Sequence, residues 1–410
     1  WIALSRRFGN LPFAELFAPA LEYAERGYPV SPFVARTWKE AAEKYRSFDS
    51  FVSTFLPQGA APSPGDWFRA PQHARTLAEI ADSQGESFYR GRIARLIADW
   101  SRRTGGLLDE ADLANHTADW VEPLSVTCGE CTLHELPPNC QGIAALLALA
   151  LLSDTPAMDL PPDSIDSLAL QVGAMRLAQA EVRAAVADST AMAVSPERLL
   201  DEAHVRTLRQ ALHSAASERP ARRSSRGEGD TVYLTTADAD GMMVSFIQSN
   251  YYDFGSGIVV PGTGIALHSR AACFSLNRSH PNAVGGAKRP FHTLAPAFVT
   301  VAGRPFMSLG VMGGHMQPQG HVQLFLRVCV GRQNPQAACD APRWHVTPEG
   351  VVLLEAGYDA AVARAMSARG CDVLASSWGD PVFGGAQAIC MLPRGYCAAS
   401  DPRKDGQAIA

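Results

Sequence analysis

The chain changes character at one peptide bond. From Ser217 to Asp230 it reads Ser-Glu-Arg-Pro-Ala-Arg-Arg-Ser-Ser-Arg-Gly-Glu-Gly-Asp, with almost nothing apolar to bury, and at Thr231 a strongly β-prone run begins. The polar stretch 217–230 predicts a mobile surface loop. The run after it predicts strands, followed by the glycine-dotted segment Ser249-Asn-Tyr-Tyr-Asp-Phe-Gly-Ser-Gly-Ile-Val-Val-Pro-Gly-Thr-Gly-Ile265. A loop that ends where a strand starts presents the Asp230–Thr231 bond for cutting. Once cut, Thr231 becomes an N-terminal threonine, with a hydroxyl nucleophile and, in its own α-amine, the base that activates it. Such chemistry points to an amidohydrolase or acyl transferase born as an inactive precursor.

The size and charge of the chain exclude other classes. With 410 residues it holds two ordinary domains or one large layered α/β domain. A net charge of −5 gives no electrostatic case for nucleic acid. The longest apolar run, Ile143 to Leu152, is about half of the roughly 20 residues a membrane span needs, so it predicts a core helix. Trp1 stands where a methionine would open a gene product; the expectation is an N-terminally incomplete chain whose compartment cannot be read. Nine scattered cysteines do not suggest a disulfide framework. Cys128-Gly-Glu-Cys131 has CxxC spacing but no second pair, and two cysteines flanking a β-turn is the simpler account.

The first half predicts helices: a stripe from Phe13 to Ala24 with Gly27 as cap, a second through Ile93, Leu96, Ile97 and Trp100, a short capped helix near 107–113, and longer ones at 143–152 and 164–186. Between them, Val126 to Leu136 is extended and meets the rigid turn Pro137-Pro138-Asn-Cys-Gln-Gly142. The second half predicts strands at 232–237 and 243–248, joined through Asp240-Gly241 as a hairpin, and at 298–301, 322–329 and 351–355. Short helices are expected near 335–340 and 360–370. Strands and helices segregate more than they alternate, which argues for an α+β chain over a doubly wound sheet. The glycines at 255–264 lie outside any strand-to-helix turn and make a weak nucleotide motif.

Several segments, in order and spacing, resemble the γ-glutamyltransferase family of N-terminal-nucleophile hydrolases, on the branch that includes cephalosporin acylases. They are Phe13–Ala20, Gly85–Gly91, Gly106–Leu113, Leu136–Gly142, Gly229–Tyr233, Phe254–Gly257, Lys288–Pro290, Gly313-Gly314 and Asp340–Arg343. The resemblance implies a four-layer αββα sandwich built by both cleavage products: a mostly helical portion, residues 1–230, and a β-rich catalytic portion, residues 231–410, held together as a heterodimer. It implies Thr231 as nucleophile and base, cleavage between Asp230 and Thr231, and an oxyanion hole from the backbone N–H groups of Gly313 and Gly314. Thr235 or Thr236 would support the nucleophile, and Asn250, Tyr251, Arg289, His292 and Thr293 would meet the substrate. No cofactor is implied, and the partner is a small-molecule γ-glutamyl or glutaryl amide.

The departures from the family pattern matter as much. Relatives carry a pair of acids just before a Phe-Ser, where a carboxylate grips the substrate's α-ammonium; here the stretch is Arg270-Ala-Ala-Cys-Phe-Ser275. After Lys288-Arg-Pro290 a serine pair is replaced by His292-Thr293, and the substrate-binding asparagine falls one residue out of register, with Tyr251 aligned and Asn250 beside it. A buried ammonium without a counter-charge is costly, so a glutaryl-type acyl group is the alternative to γ-glutamyl. An inactive relative that never matures is a further alternative. His292, His315 and His321 lack the carboxylate spacing of a metal site, and none is expected.

Overall fold

The computed structural model describes residues 1–212 and 230–410, so most of the expected surface loop, residues 217–229, lies outside the described residues. Two compact units emerge: Trp1–Trp120 with Tyr252–Ser269, and Val121–Tyr251 with Arg270–Ala410.

The first unit is helical around an aromatic core. Helix Pro32–Tyr45 starts where the Ser31 hydroxyl accepts the Val34 N–H at 3.2 Å, with Pro32 in its first turn. Its Trp38 is buried and its ring lies 4.7 Å from that of Phe68, the last residue of the ribbon β1 (Tyr28–Pro29) and β2 (Trp67–Phe68). The segment 252–269 threads through this core. Phe254 sits 4.6 Å from Phe55, the Tyr45 hydroxyl donates to the Gly255 carbonyl at 2.8 Å, and Val260 packs on Ile93 and Ile97. Gly255, Gly257 and Gly264 of this stretch therefore serve close packing, whereas a Cβ on Gly262 would meet nothing within 4 Å.

The second unit contains β3 (Leu124–Cys128), β4 (Cys131–Glu135), β5 (Asp230–Ala237), β6 (Met243–Tyr251), β7 (Ala297–Val301), β8 (Arg304–Met312), β9 (Trp344–Val346), β10 (Val352–Glu355), β11 (Val373–Ser376), β12 (Gly385–Met391) and β13 (Tyr396–Ser400). A six-stranded antiparallel sheet runs β13-β12-β8-β7-β4-β3, a three-stranded sheet β11-β10-β9, and β5 and β6 pair as a hairpin. Strands from before and after Asp230 thus share the main sheet.

The central strand β8 sets the layering through its alternation. Met307, Leu309 and Val311 face a helical layer that includes Ile143–Leu152, Ile165–Ala185 and Gln317–Phe325. Ser308 and Gly310 face the hairpin instead: Thr235 hydrogen-bonds Ser308, and the Tyr233 ring lies so close to Gly310 that a Cβ there would come within 2.3 Å of it. The result is a helix layer, a six-stranded sheet and a two-stranded layer. Among the described residues, no helix is long and apolar enough to cross a membrane.

One expected strand is corrected. Val322–Cys329 is helical, split between Gln317–Phe325 and the wider turn Leu326–Val330. Most of this run is buried on every side, so no polar face was left to reveal a period.

Candidate active site

Strand β5 starts with an alternation that separates the expected residues. Thr231 and Tyr233 are 4% exposed, against 54% for Val232 and 43% for Leu234. Thr231 therefore leads the inward row. Thr235 follows in that row, bound to Ser308, whereas Thr236 points to the exposed face, away from Thr231.

The hairpin ladder breaks at the expected cleavage bond. Thr231 pairs with Ser249 and Asp230 with Tyr251, which leaves Asn250 as the extra residue of a bulge. Tyr251 takes a φ of +80°, unusual for a bulky side chain, and its N–H donates to the Ser249 hydroxyl at 2.8 Å. The bulge falls at the position where Asn250 and Tyr251 depart from the family pattern. Asn250 itself is exposed.

Gly313 and Gly314 stand between β8 and the turn Gly314–Met316, which runs into helix Gln317–Phe325. Backbone N–H groups at such a helix start have no intrahelical acceptor and carry the positive end of the helix dipole. Gly313 has φ +129° and a Cβ on it would sit 2.9 Å from Gly384 Cα, so a side chain is excluded there; a Cβ on Gly314 would meet nothing within 4 Å. The turn is fixed from behind. Gln141, 2% exposed, donates through Nε2 to the Gly314 carbonyl at 2.8 Å and the Thr293 carbonyl at 2.6 Å, while its own N–H donates to His292 O at 2.9 Å. Gln141 was not among the residues expected at the site. Its signal was a lone amide leading an otherwise apolar helix.

Thr293 is buried and its hydroxyl accepts from Arg270 Nη1 at 2.6 Å; the Arg270 guanidinium lies 4.8 Å above the Tyr251 ring. A chain of contacts thus runs from Gly314 through Gln141, Thr293 and Arg270 to Tyr251, opposite Asp230. Arg270 is 5% exposed. Partial burial, then the charge of Arg183, then that of Arg270 hold the half-buried His315 imidazole below its ordinary pKa. His315 stacks on Phe291, with ring centroids 6.1 Å apart. His292 is half-buried, its Nδ1 3.9 Å from Cys140 Sγ, and burial pushes that thiol up to about 12. Arg289 is exposed and its backbone N–H donates to Asp188 Oδ2 at 2.8 Å.

Other singled-out residues serve the scaffold. His321 is fully buried; Nδ1 meets Glu135 Oε1 at 2.6 Å and Nε2 accepts the Val311 N–H at 3.2 Å, which pins β8 two residues before Gly313. Among the described residues, no group of three His, Cys, Asp or Glu side chains could hold a metal ion. Cys128 and Cys131 face each other across the tight turn of the β3–β4 hairpin. Arg343 binds Asp401 in a buried network with Arg403 and Glu355.

Known proteins share this arrangement of the chain. The γ-glutamyltranspeptidase family profile matches residues 1–410. The chain is 32% identical to a glutathione hydrolase-like proenzyme of Bacillus subtilis, over 100% of its own length and 78% of that protein's. It is 34% identical to an oxamate amidohydrolase proenzyme of Klebsiella pneumoniae, over 97% of its length and 76% of the relative's. The crystal structure of a cephalosporin acylase from Bacillus halodurans superimposes with a TM-score of 0.93 at 40% identity, covering 99% of this chain and 76% of that one. Matched by the family profile over its whole length and by relatives above 30% identity, the chain belongs to the γ-glutamyltranspeptidase family of amide-directed hydrolases and transferases.

Proposed function

We propose that this chain is a self-processing amidohydrolase that works through a Thr231 acyl-enzyme on γ-glutamyl amides. One observation carries the reading: Thr231 is the buried first residue of an inward-facing row, set at the register break in the ladder between Asp230 and Thr231. In the precursor, Thr231 Oγ attacks the Asp230 carbonyl carbon, the C–N bond breaks, and water hydrolyses the resulting ester. Asp230 leaves as a free carboxylate terminus and Thr231 gains an α-amine. In the mature enzyme this amine takes the hydroxyl proton as Oγ attacks the substrate carbonyl; its intrinsic pKa of about 7.7–8.0 suits a base near neutrality. The N–H groups of Gly313 and Gly314 stabilise the oxyanion, worth on the order of 10²–10³ in rate per donor. The leaving amine takes the proton away, and water or a second amine resolves the ester.

In this reading residues 1–230 and 231–410 are the two mature chains, associated as a heterodimer, and the three layers of the second unit belong to a four-layer αββα sandwich. In the same reading Asn250, Tyr251, Arg289, His292 and Thr293 lie on the substrate side.

The absence of an acid from Arg270 to Ser275 favours a second reading, an acylase for acyl groups without an α-ammonium, such as glutaryl. Chromogenic γ-glutamyl and glutaryl anilides separate the two. Denaturing mass spectrometry tests the common core: the wild type should give two fragments that split before Thr231, and Thr231→Ala should give one intact chain without amidase activity. An uncut wild type with no turnover would leave an inactive relative.

A further inference from the structure

We infer that Cys131 and Cys329 form a thiol pair that a hydroperoxide oxidises to a disulfide, joining the β3–β4 hairpin to the wide turn after helix Gln317–Phe325. The crosslink itself needs no cleavage. Only its further effect, a covalent bond between residues 1–230 and 231–410 after processing, rests on the Thr231 reading.

Both thiols stand on fixed backbone. Cys131 opens β4, opposite Cys128 on one side and Val301 on the other. Cys329 lies in the turn Leu326–Val330, which the Gly331 N–H closes by donating to the Leu326 carbonyl at 2.7 Å. Arg327 of the same turn is clamped by Asp163, with Nη1 2.9 Å from Oδ2. The two cysteines are unbridged, and the Cys329 S–H donates to the Cys131 sulfur. An ion pair ties the same two segments independently: Arg332 Nη2 lies 3.5 Å from Glu130 Oε2, beside the two cysteines in sequence. Gly129, Glu130, Gly331 and Arg332 are all exposed and Cys329 is half-buried, so the pair lies just beneath the surface, within reach of a small oxidant.

The surroundings divide the roles. The hydrogen bond from Cys329, and after it the charge of Arg332, hold the Cys131 thiol below its ordinary pKa against the effect of burial. The same bond, and then burial, keep Cys329 protonated. Burial pushes the neighbouring Cys128 and Cys390 thiols up to about 12, and Cys128 Sγ is turned to the Leu149 carbonyl at 3.7 Å. The thiolate is the reactive form, so Cys131 reacts first. Its sulfur attacks one peroxide oxygen and the O–O bond breaks; a sulfenic acid forms, and the hydroxide released joins the proton that Cys131 gave up. The Cys329 sulfur then displaces the sulfenic hydroxyl, the S–S bond forms, and the Cys329 proton leaves with that oxygen as a second water. Two thiols lose two electrons and the peroxide is reduced to two waters.

The test treats the full chain with hydrogen peroxide, blocks the remaining thiols with iodoacetamide and maps the peptides without reductant. Two of the nine thiols should escape the label, one linked peptide pair should carry Cys131 and Cys329, and dithiothreitol should restore both. Cys329→Ala should give no linked pair and leave Cys131 as a sulfenic or sulfinic acid. The wild-type map decides the matter even where that variant folds poorly. In a processed chain the oxidised fragments should run as one band on a non-reducing gel and as two after reduction. An unprocessed chain still yields the linked pair, so loss of self-cleavage and loss of the crosslink are read separately. A Cys128–Cys131 or Cys390–Cys397 link in its place, an over-oxidised Cys131 beside a labelled Cys329, or full labelling after peroxide would overturn the pairing.

Discussion

Gly257 and Gly314 both adopt left-handed backbone, with φ of +76° and +56°, yet their surroundings are opposite. A Cβ on Gly257 would fall 2.3 Å from Tyr45 Cδ1, inside the aromatic core of the first unit. A Cβ on Gly314 would meet no atom within 4 Å, although its carbonyl is fixed by the buried Gln141. The first glycine lets two parts of the fold approach each other. The second leaves a space that the chain itself does not fill, beside backbone donors at the start of a helix. Conformation alone does not distinguish a scaffold glycine from a site glycine; what lies next to it does.

Substitution should separate the two by readout. Gly314→Val should cut kcat/KM by about 10²-fold, the loss expected when a reacting group is displaced by about an ångström, while its melting temperature reports only the strain of a side chain in left-handed backbone, about 1–2 kcal/mol. Gly257→Ala should lower unfolding free energy by about 2–4 kcal/mol in denaturant titration, since a clash with the Tyr45 ring adds to the backbone strain. If Gly257→Ala proved neutral in stability, or Gly314→Val in activity, the contrast would fail.

Acidity gives the smallest and finest separation. Activity should fall as the Thr231 α-amine protonates, below about pH 7.7–8.0. Stability should follow a different group. His345 is buried against the Val382 carbonyl, and burial, followed by the charge of His315, lowers its pKa from 6.5 to about 4. Its folded pKa lies below the unfolded one, so its contribution is complete above 6.5 and is lost as pH falls towards about 4. Denaturation midpoints measured from pH 7.5 down to 4 should decline in that window, and His345→Gln should flatten the decline.

Local patterns were legible where one face of an element meets water or where turn chemistry is explicit. The β5–β6 hairpin followed from Asp240-Gly241, and Gly241 has the positive φ, +92°, that such a turn demands. Helix Ile143–Leu152 followed from its unbroken apolar run. Strand β8 stayed hidden because helices cover one face and the hairpin covers the other, so residues 307–311 are all buried and no alternation remains. Strand β12 stayed hidden because its start, Gly-Ala-Gln-Ala, has little strand preference of its own. At the candidate site, Thr231 was singled out by the change of character at the Asp230–Thr231 bond, and the glycine pair by the family resemblance. Gln141 was not, since its partners at 292, 293 and 314 are distant in the chain and only the fold brings them to one amide. The bulge at Asn250 was not foreseen, since only the ladder register reveals it.

The shared sheet has a mechanical consequence. Strands β3 and β4 come from one side of the Asp230–Thr231 bond, and β7, β8, β12 and β13 from the other. Severing that bond frees no piece, because separation would first require unzipping β4 from β7 along five consecutive pairs, Cys131–Val301 to Glu135–Ala297, and pulling helix Ile143–Leu152 out of its seat. If the proposed cleavage takes place there, the second unit gives up covalent continuity at that bond while its main sheet stays joined.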